Sequence, residues 1–249
     1  MAAPLDCSRP ESAAGAQPSG GWRAWLRLSV PDLAWEFLRR NEDYRAEFAR
    51  AAHEPGAIDE RWGLKFGADP AVPAPDAEIF WRADVAPGLV VPFEKDASAP
   101  MEKRSWSPTG AARRAREGLD VRLPHGLQLE YRGAARPGGP LLVVLGFDQD
   151  LGLRVRAVEH LNRVVRGLSV PPSHLSLAHR ERLARSLEAL DKSIAGESYR
   201  TIAGSIFGEA AVTLDLWRTS SVRAATIRLV KAGRDLMSGG YLKLLRSGF

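Results

Sequence analysis

Arg223, Arg228, Lys231 and Arg234 fall along one side of the stretch from Ser221 to Met237 when it is wound at about 100° per residue, with Ser220 and Ile227 among them. Val222, Ala225, Leu229, Ala232, Gly233 and Leu236 fall on the other side, and only Asp235 brings a negative charge to the basic margin. Such a helix can bury one face and lay cations against a polyanion with the other, and the DNA major groove accepts a helix of this kind. Just ahead, Thr219, Ser220 and Ser221 offer hydroxyls and first-turn amides for phosphate oxygens. Arg223, near the entering end, is best placed to reach a base edge, guanine being arginine's commonest partner. Arg218, Arg228, Lys231 and Arg234 are expected to contact the phosphate backbone or to act as further readers. Two other readings compete: a bundle helix whose basic face is merely solvated, and a cationic helix that binds an acidic protein instead of DNA.

The elements that would present this helix lie upstream. Tyr199, Ile202, Ala203 and Ile206 give a compact apolar spacing for a two-turn helix, and Phe207-Gly208 closes it with a sharp exit. A short helix followed by a capped longer one is the plan of a helix-turn-helix. The segment Glu209 to Arg218 exceeds the usual three- or four-residue turn and carries Leu214, Leu216 and Trp217. The motif is therefore a variant, or Glu209 to Trp217 is itself a helix of the bundle. Ser173 or Ser176 can cap a preceding helix through about Ala189, with Leu183, Leu187 and Leu190 inward. Val155 to Val165 reads as a helix with Val155, Val158, Leu161 and Val165 on one face, and Gly239-Gly240 ends the basic helix before a last turn.

Charge is divided along the chain. Residues 1–100 carry 11 Lys and Arg against 16 Asp and Glu, whereas residues 101–170 and 171–249 each carry 12 against 7. An acidic first part and a basic remainder favour a polyanion partner for the latter, most simply double-stranded DNA. With 249 residues, 45% of them hydrophobic, the chain can bury one large or two modest cores. Residues 1–21 are rich in Ala, Pro, Ser and Gly and read as a disordered tail. Residues 22–96 form a Trp-rich acidic domain, with a helix opening at Pro31 and a second capped by Asn41. Residues 97–118, which include Arg113-Arg114-Ala115-Arg116, are expected to be a basic linker. Residues 119–249 form the C-terminal domain, with a strand hairpin over 127–146, its Leu141–Leu145 run buried, and a helix-turn-helix-like region over 175–246. The expected class is α+β: mostly helical, with a small hairpin-containing β region ahead of the C-terminal bundle.

Catalytic patterns are missing from the sequence. It holds no Walker loop, no G-x-G-x-x-G, no H-E-x-x-H and no C-x-x-C. His53, His125, His160, His174 and His179 are scattered, and the last two stand five apart, on different sides of a helix. Asp148-Gln149-Asp150 reads as a polar turn rather than a cation site. The single cysteine, Cys7, lies in the tail and rules out a disulfide framework, which fits a reducing cytoplasm. No run approaches the ~18 apolar residues of a membrane span, and no signal peptide is evident. The expectation is a protein without catalytic residues, metal or cofactor.

One resemblance follows from particular residues. Ser198-Tyr199-Arg200, Ile202-Ala203, Phe207-Gly208, Trp217, Thr219-Ser220, Arg223, Thr226 to Val230, Gly233-Arg234, Leu236-Met237, Gly239 to Tyr241 and Leu244-Leu245 resemble the DUF2285 family of proteobacteria. Trp35 to Asn41 with Tyr44-Arg45, Trp62-Gly63-Leu64, Phe66, Asp69-Pro70 and Phe80-Trp81 resemble the DUF6499 domain. Fusions of the two resemble the FseA-type transcriptional activators that switch on excision of integrative and conjugative elements in rhizobia. The resemblance implies DNA binding at a promoter and restraint by a small antiactivator protein. The acidic N-terminal unit would then contact a protein: RNA polymerase, a second protomer or that antiactivator. Such domains also occur in replication or partition accessory proteins of mobile elements.

Overall fold

Ser29 starts the first helix, α1 (Val30–Leu38): its hydroxyl oxygen accepts the Asp32 amide at 3.3 Å, and Pro31 fits the first turn. All but one of its nine residues are buried, so α1 is the axis on which the rest is assembled. Asn41 ends it and starts α2 (Glu42–His53), its Oδ1 accepting the amides of Asp43 at 2.9 Å and Tyr44 at 3.1 Å. The computed structural model describes residues 21–53, 58–74, 76–98, 106–116, 118–169, 175–212 and 217–247. Residues 1–20 of the expected tail, with Cys7, as well as Ser173, His174, Leu214 and Leu216, lie outside the described residues, whereas Gly21 begins a 3-10 turn through Arg27.

The chain is α+β, with five strands in one mixed sheet and helices gathered toward the C-terminus. The strands are β1 (Val90–Lys95), β2 (Ala111–Ala115), β3 (Gly118–Arg122), β4 (Gln128–Arg132) and β5 (Leu141–Val143), in the order β2-β3-β4-β1-β5. The expected hairpin over 127–146 is corrected here. Both of its strands form, but β1 lies between them, parallel to β4 (Phe93 opposite Tyr131) and antiparallel to β5 (Phe93 opposite Val143). The run Val90–Phe93 is buried throughout and therefore takes a central place, whereas the three-residue β5 is left at the edge. Leu142 and Val144 are correspondingly exposed at 48% and 40%, against the expectation of a buried run.

The stretch expected to be a tether also differs. Ala111–Ala115 is the opposite edge strand, with Arg113 and Arg114 facing solvent. The Arg113 guanidinium lies 4.5 Å from the centre of the Phe66 ring and donates to the Gly67 carbonyl at 3.2 Å, which docks the strand.

Two larger cores follow. In the first, Trp22, Trp25, Trp35, Phe37, Tyr44, Trp62 and Trp81 pack with Leu183, Leu187 and Leu190 of α4 (Leu177–Ile194) and with Tyr241, Leu244 and Leu245 of α7 (Tyr241–Ser247). Packing therefore crosses the expected boundary between the acidic and basic parts. Ion pairs cross it as well. Buried Glu36 of α1 meets Arg39 at 2.7 Å and Arg40 at 2.6 Å, and Arg40 also pairs with Asp191 of α4. Burial alone would raise the Glu36 pKa, but Arg40 and Arg39 together hold it below the usual carboxylate value. In the second core, α3 (Leu151–Val165) covers Val91, Phe93, Leu129 and Tyr131 of the sheet with Ala157 and Leu161. Val155 and Val165, expected inward, are 41% and 42% exposed, because the inward stripe follows Ala157 and Leu161 instead.

Candidate nucleic-acid interface

Three helices make the third core: Ala189 from α4, Ile202 and Ile206 from α5 (Tyr199–Phe207), and Leu229 and Val230 from α6 (Ser221–Asp235). Each helix has a serine start. The hydroxyl oxygens of Ser176, Ser198 and Ser220 accept the amides of His179 at 3.2 Å, Thr201 at 3.2 Å and Arg223 at 3.1 Å. Gly208, at φ +92°, ends α5 with the sharp exit its position suggested. Tyr199, counted among the apolar positions of α5, is 41% exposed. Among its described residues, the long connection to α6 contains the 3-10 turns Glu209–Ala211 and Trp217–Thr219.

The buried stripe of α6 is Thr226, Leu229, Val230 and Gly233, rotated from the expected one. Thr226 joins it because its hydroxyl donates to the Val222 carbonyl at 2.8 Å, so the side chain buries as if apolar. Gly233 joins it because α4 passes close by. A Cβ there would lie 2.6 Å from the Ser186 carbonyl oxygen and 2.9 Å from Leu190 Cβ. On the opposite side Ser221, Ala224, Arg228, Lys231 and Asp235 are exposed at helical spacing, with Arg234 beside them.

Arg218 and Thr219 are exposed in the turn before α6, and Ser221 is exposed at its first position. Ser220 is the N-cap; its oxygen is engaged by the Arg223 amide, while its hydroxyl proton remains a donor. Arg223 stands in the first turn, half-buried at the edge of the exposed face, its stem beside the buried stripe. Arg228 and Lys231 occupy the middle of that face. Arg234 donates to the Ser193 hydroxyl of α4 at 2.9 Å. None of the ion pairs found among the described residues involves Arg218, Arg223, Arg228, Lys231 or Arg234. The first turn of α6 also lacks an acidic residue, so nothing there offsets the positive end of the helix dipole.

One cation of this surface escaped the sequence reading. Arg182 of α4 is exposed and lines an open groove of about 500 Å³ with Arg228, Arg185, Phe207 and Leu229. The signal was present as Arg180, Arg182 and Arg185 at the start of α4, but only the packing of α4 on α6 brings Arg182 to the basic face. Arg185 is occupied, paired with Glu181 at 3.2 Å and stacked 4.4 Å from the centre of the Trp22 ring. Among the described residues, no group of three or more His, Cys, Asp and Glu side chains is arranged to hold a metal ion. No helix among them is long and apolar enough to cross a membrane.

Two family models match the chain. Residues 144–246, which run from the end of the sheet through α7, match the RovC DNA-binding domain, described as a DNA-binding domain of a T6SS transcription factor. Residues 20–67, which hold α1 and α2, match a proteobacterial transcriptional regulator-like domain. No curated protein matches the chain. Both matched descriptions are of regulators rather than catalysts, and together they indicate a DNA-binding transcriptional regulator.

Proposed function

We propose that this protein is a transcriptional activator that docks α6 in the major groove of double-stranded DNA and acts in the cytoplasm. The observation that carries the reading is the outward line Arg228–Lys231–Arg234, unpaired with carboxylates among the described residues, on a helix whose cap and opposite face are fully used by the fold. Arg223 reads a base edge from the first turn. Arg218, Thr219, Ser220 and Ser221 hold phosphates at the helix start, while Arg228, Lys231 and Arg234 follow the backbone. Arg182 adds a phosphate contact from α4.

The acidic first part, fused to this module through α1, contacts a protein, either RNA polymerase or a small antiactivator. The resemblance to DUF6499–DUF2285 fusions supports target genes for excision or transfer of a mobile element. Mapping bound DNA across the genome of the native host tests both steps. Enrichment at promoters of excision or transfer genes is the expected result. Enrichment at secretion-system promoters alone would move the targets to those of the matched T6SS regulators, and no enrichment anywhere would overturn DNA binding.

A further inference from the structure

Between the sheet and the C-terminal half of α3 lies a second cavity, of about 240 Å³, well away from α6 in the chain. Its floor is one register row across three strands: Tyr131, Phe93 and Val143. The Phe93 and Tyr131 rings are stacked, 5.2 Å between centres and 24° between planes. Its roof is Val158, Leu161 and Val165 of α3, and Trp106 stands at its side. Protein interiors rarely leave voids larger than a water molecule. An apolar void of only ~150 Å³ stays dry and admits benzene. This one is larger and opens at its rim, where Val143 and Val165 are exposed, and none of the described residues lining it is charged.

Two polar groups meet the space. Asn162 brings an amide, and Tyr131 brings a hydroxyl with no hydrogen-bond partner among the described residues. A tyrosine hydroxyl keeps its proton at neutral pH and can donate it, and burial pushes the Tyr131 hydroxyl further up, to about 12. Tyr131 lines the cavity, and with no protein acceptor among the described residues its hydroxyl is free to donate to a ligand oxygen there.

We propose that this cavity binds an uncharged one- or two-ring aromatic molecule bearing a hydroxyl or carbonyl oxygen, with its ring plane along the Phe93–Tyr131 stack and its oxygen at the Tyr131 hydroxyl. Charged analogues are disfavoured because none of the described residues lining the space supplies a counter-ion. None of the described residues lining it belongs to α6, and its test is made without DNA.

The full chain is titrated calorimetrically with 2-naphthol and, in parallel, with 2-naphthalenesulfonate. The expected result is saturable one-to-one binding of 2-naphthol, with the sulfonate at least tenfold weaker. Val165→Trp places an indole at a rim position that is 42% exposed, where folding tolerates it, and should weaken 2-naphthol at least tenfold with an unchanged circular dichroism spectrum. Tyr131→Phe should weaken it about fivefold. Absence of saturable binding, equal binding of the sulfonate, or binding unaffected by both substitutions would overturn the proposal.

Discussion

Gly233→Ala tests the packing that aims α6. In a helix interior, exchanging Gly for Ala ordinarily stabilises by about 1 kcal/mol. Here the added Cβ would sit 2.6 Å from the Ser186 carbonyl oxygen and 2.9 Å from Leu190 Cβ. Carbon atoms prefer ~3.5–4.0 Å, so α4 and α6 must part by about 0.5–1 Å. The nearest obstacle is backbone and cannot swing aside. Overpacking of this kind costs about 1–3 kcal/mol. Set against the propensity gain, the net expectation is a loss of up to about 2 kcal/mol, or up to about 8 °C in Tm for a chain of this size. Gly152→Ala is the internal control. It lies in the first turn of α3 with nothing within 4 Å of the new Cβ, so it should stabilise by about 0.5–1 kcal/mol. Urea and thermal melts followed by circular dichroism read both. A Gly233→Ala protein more stable than the parent would show that α6 does not pack on α4 at Ser186, and the face assigned to DNA would then be misplaced.

Other expectations are smaller in scope. Ser220→Ala removes the α6 cap and should cost about 1 kcal/mol of stability. Ser220→Asp keeps the cap but sets a negative charge at the helix start, so it should leave the melt near the parent's while weakening DNA binding. Lys231→Ala should flatten the slope of log affinity against log salt by about 0.9, with no change in sequence preference. Glu36→Gln leaves Arg39 without its carboxylate and Arg40 with only Asp191, and should cost about 3 kcal/mol by chemical denaturation. Because Arg40 and Arg39 outweigh burial and depress the folded Glu36 pKa, this carboxylate stabilises the fold above its ordinary 4.5 and ceases to as pH falls through the lower folded value. The parent should therefore lose stability as pH drops below 4.5, and Glu36→Gln should show a shallower acid limb.

What could be read from sequence was local. Serine caps and glycine exits act within four residues, so the bounds of α5 and α6 and the inward positions Leu183, Leu187 and Leu190 were legible. Helical periodicity separated the cations Arg228, Lys231 and Arg234 from the buried side. It misjudged the edges of that stripe because it priced Thr226 as polar, whereas a bond to the carbonyl four residues back makes it apolar in effect. Strand pairing was not legible. Alternation marks a strand but not its neighbour, and β1 enters between β4 and β5 from some forty residues upstream of β4. The Arg-rich run at Ala111–Ala115 has the charged composition both of a tether and of a protected sheet edge, and only pairing with β3 tells them apart. The place of Arg182 depends on α4 lying against α6, which no local pattern encodes.

In the proposed complex α6 reads DNA sequence through Arg223. The most direct test of that role compares the affinities of the parent and Arg223→Ala for a bound site and for a scrambled duplex of equal length at one fixed salt concentration. The expected result is a loss of about 1–3 kcal/mol on the bound site and little on the scrambled one. Equal losses on the two duplexes, or none on either, would contradict it.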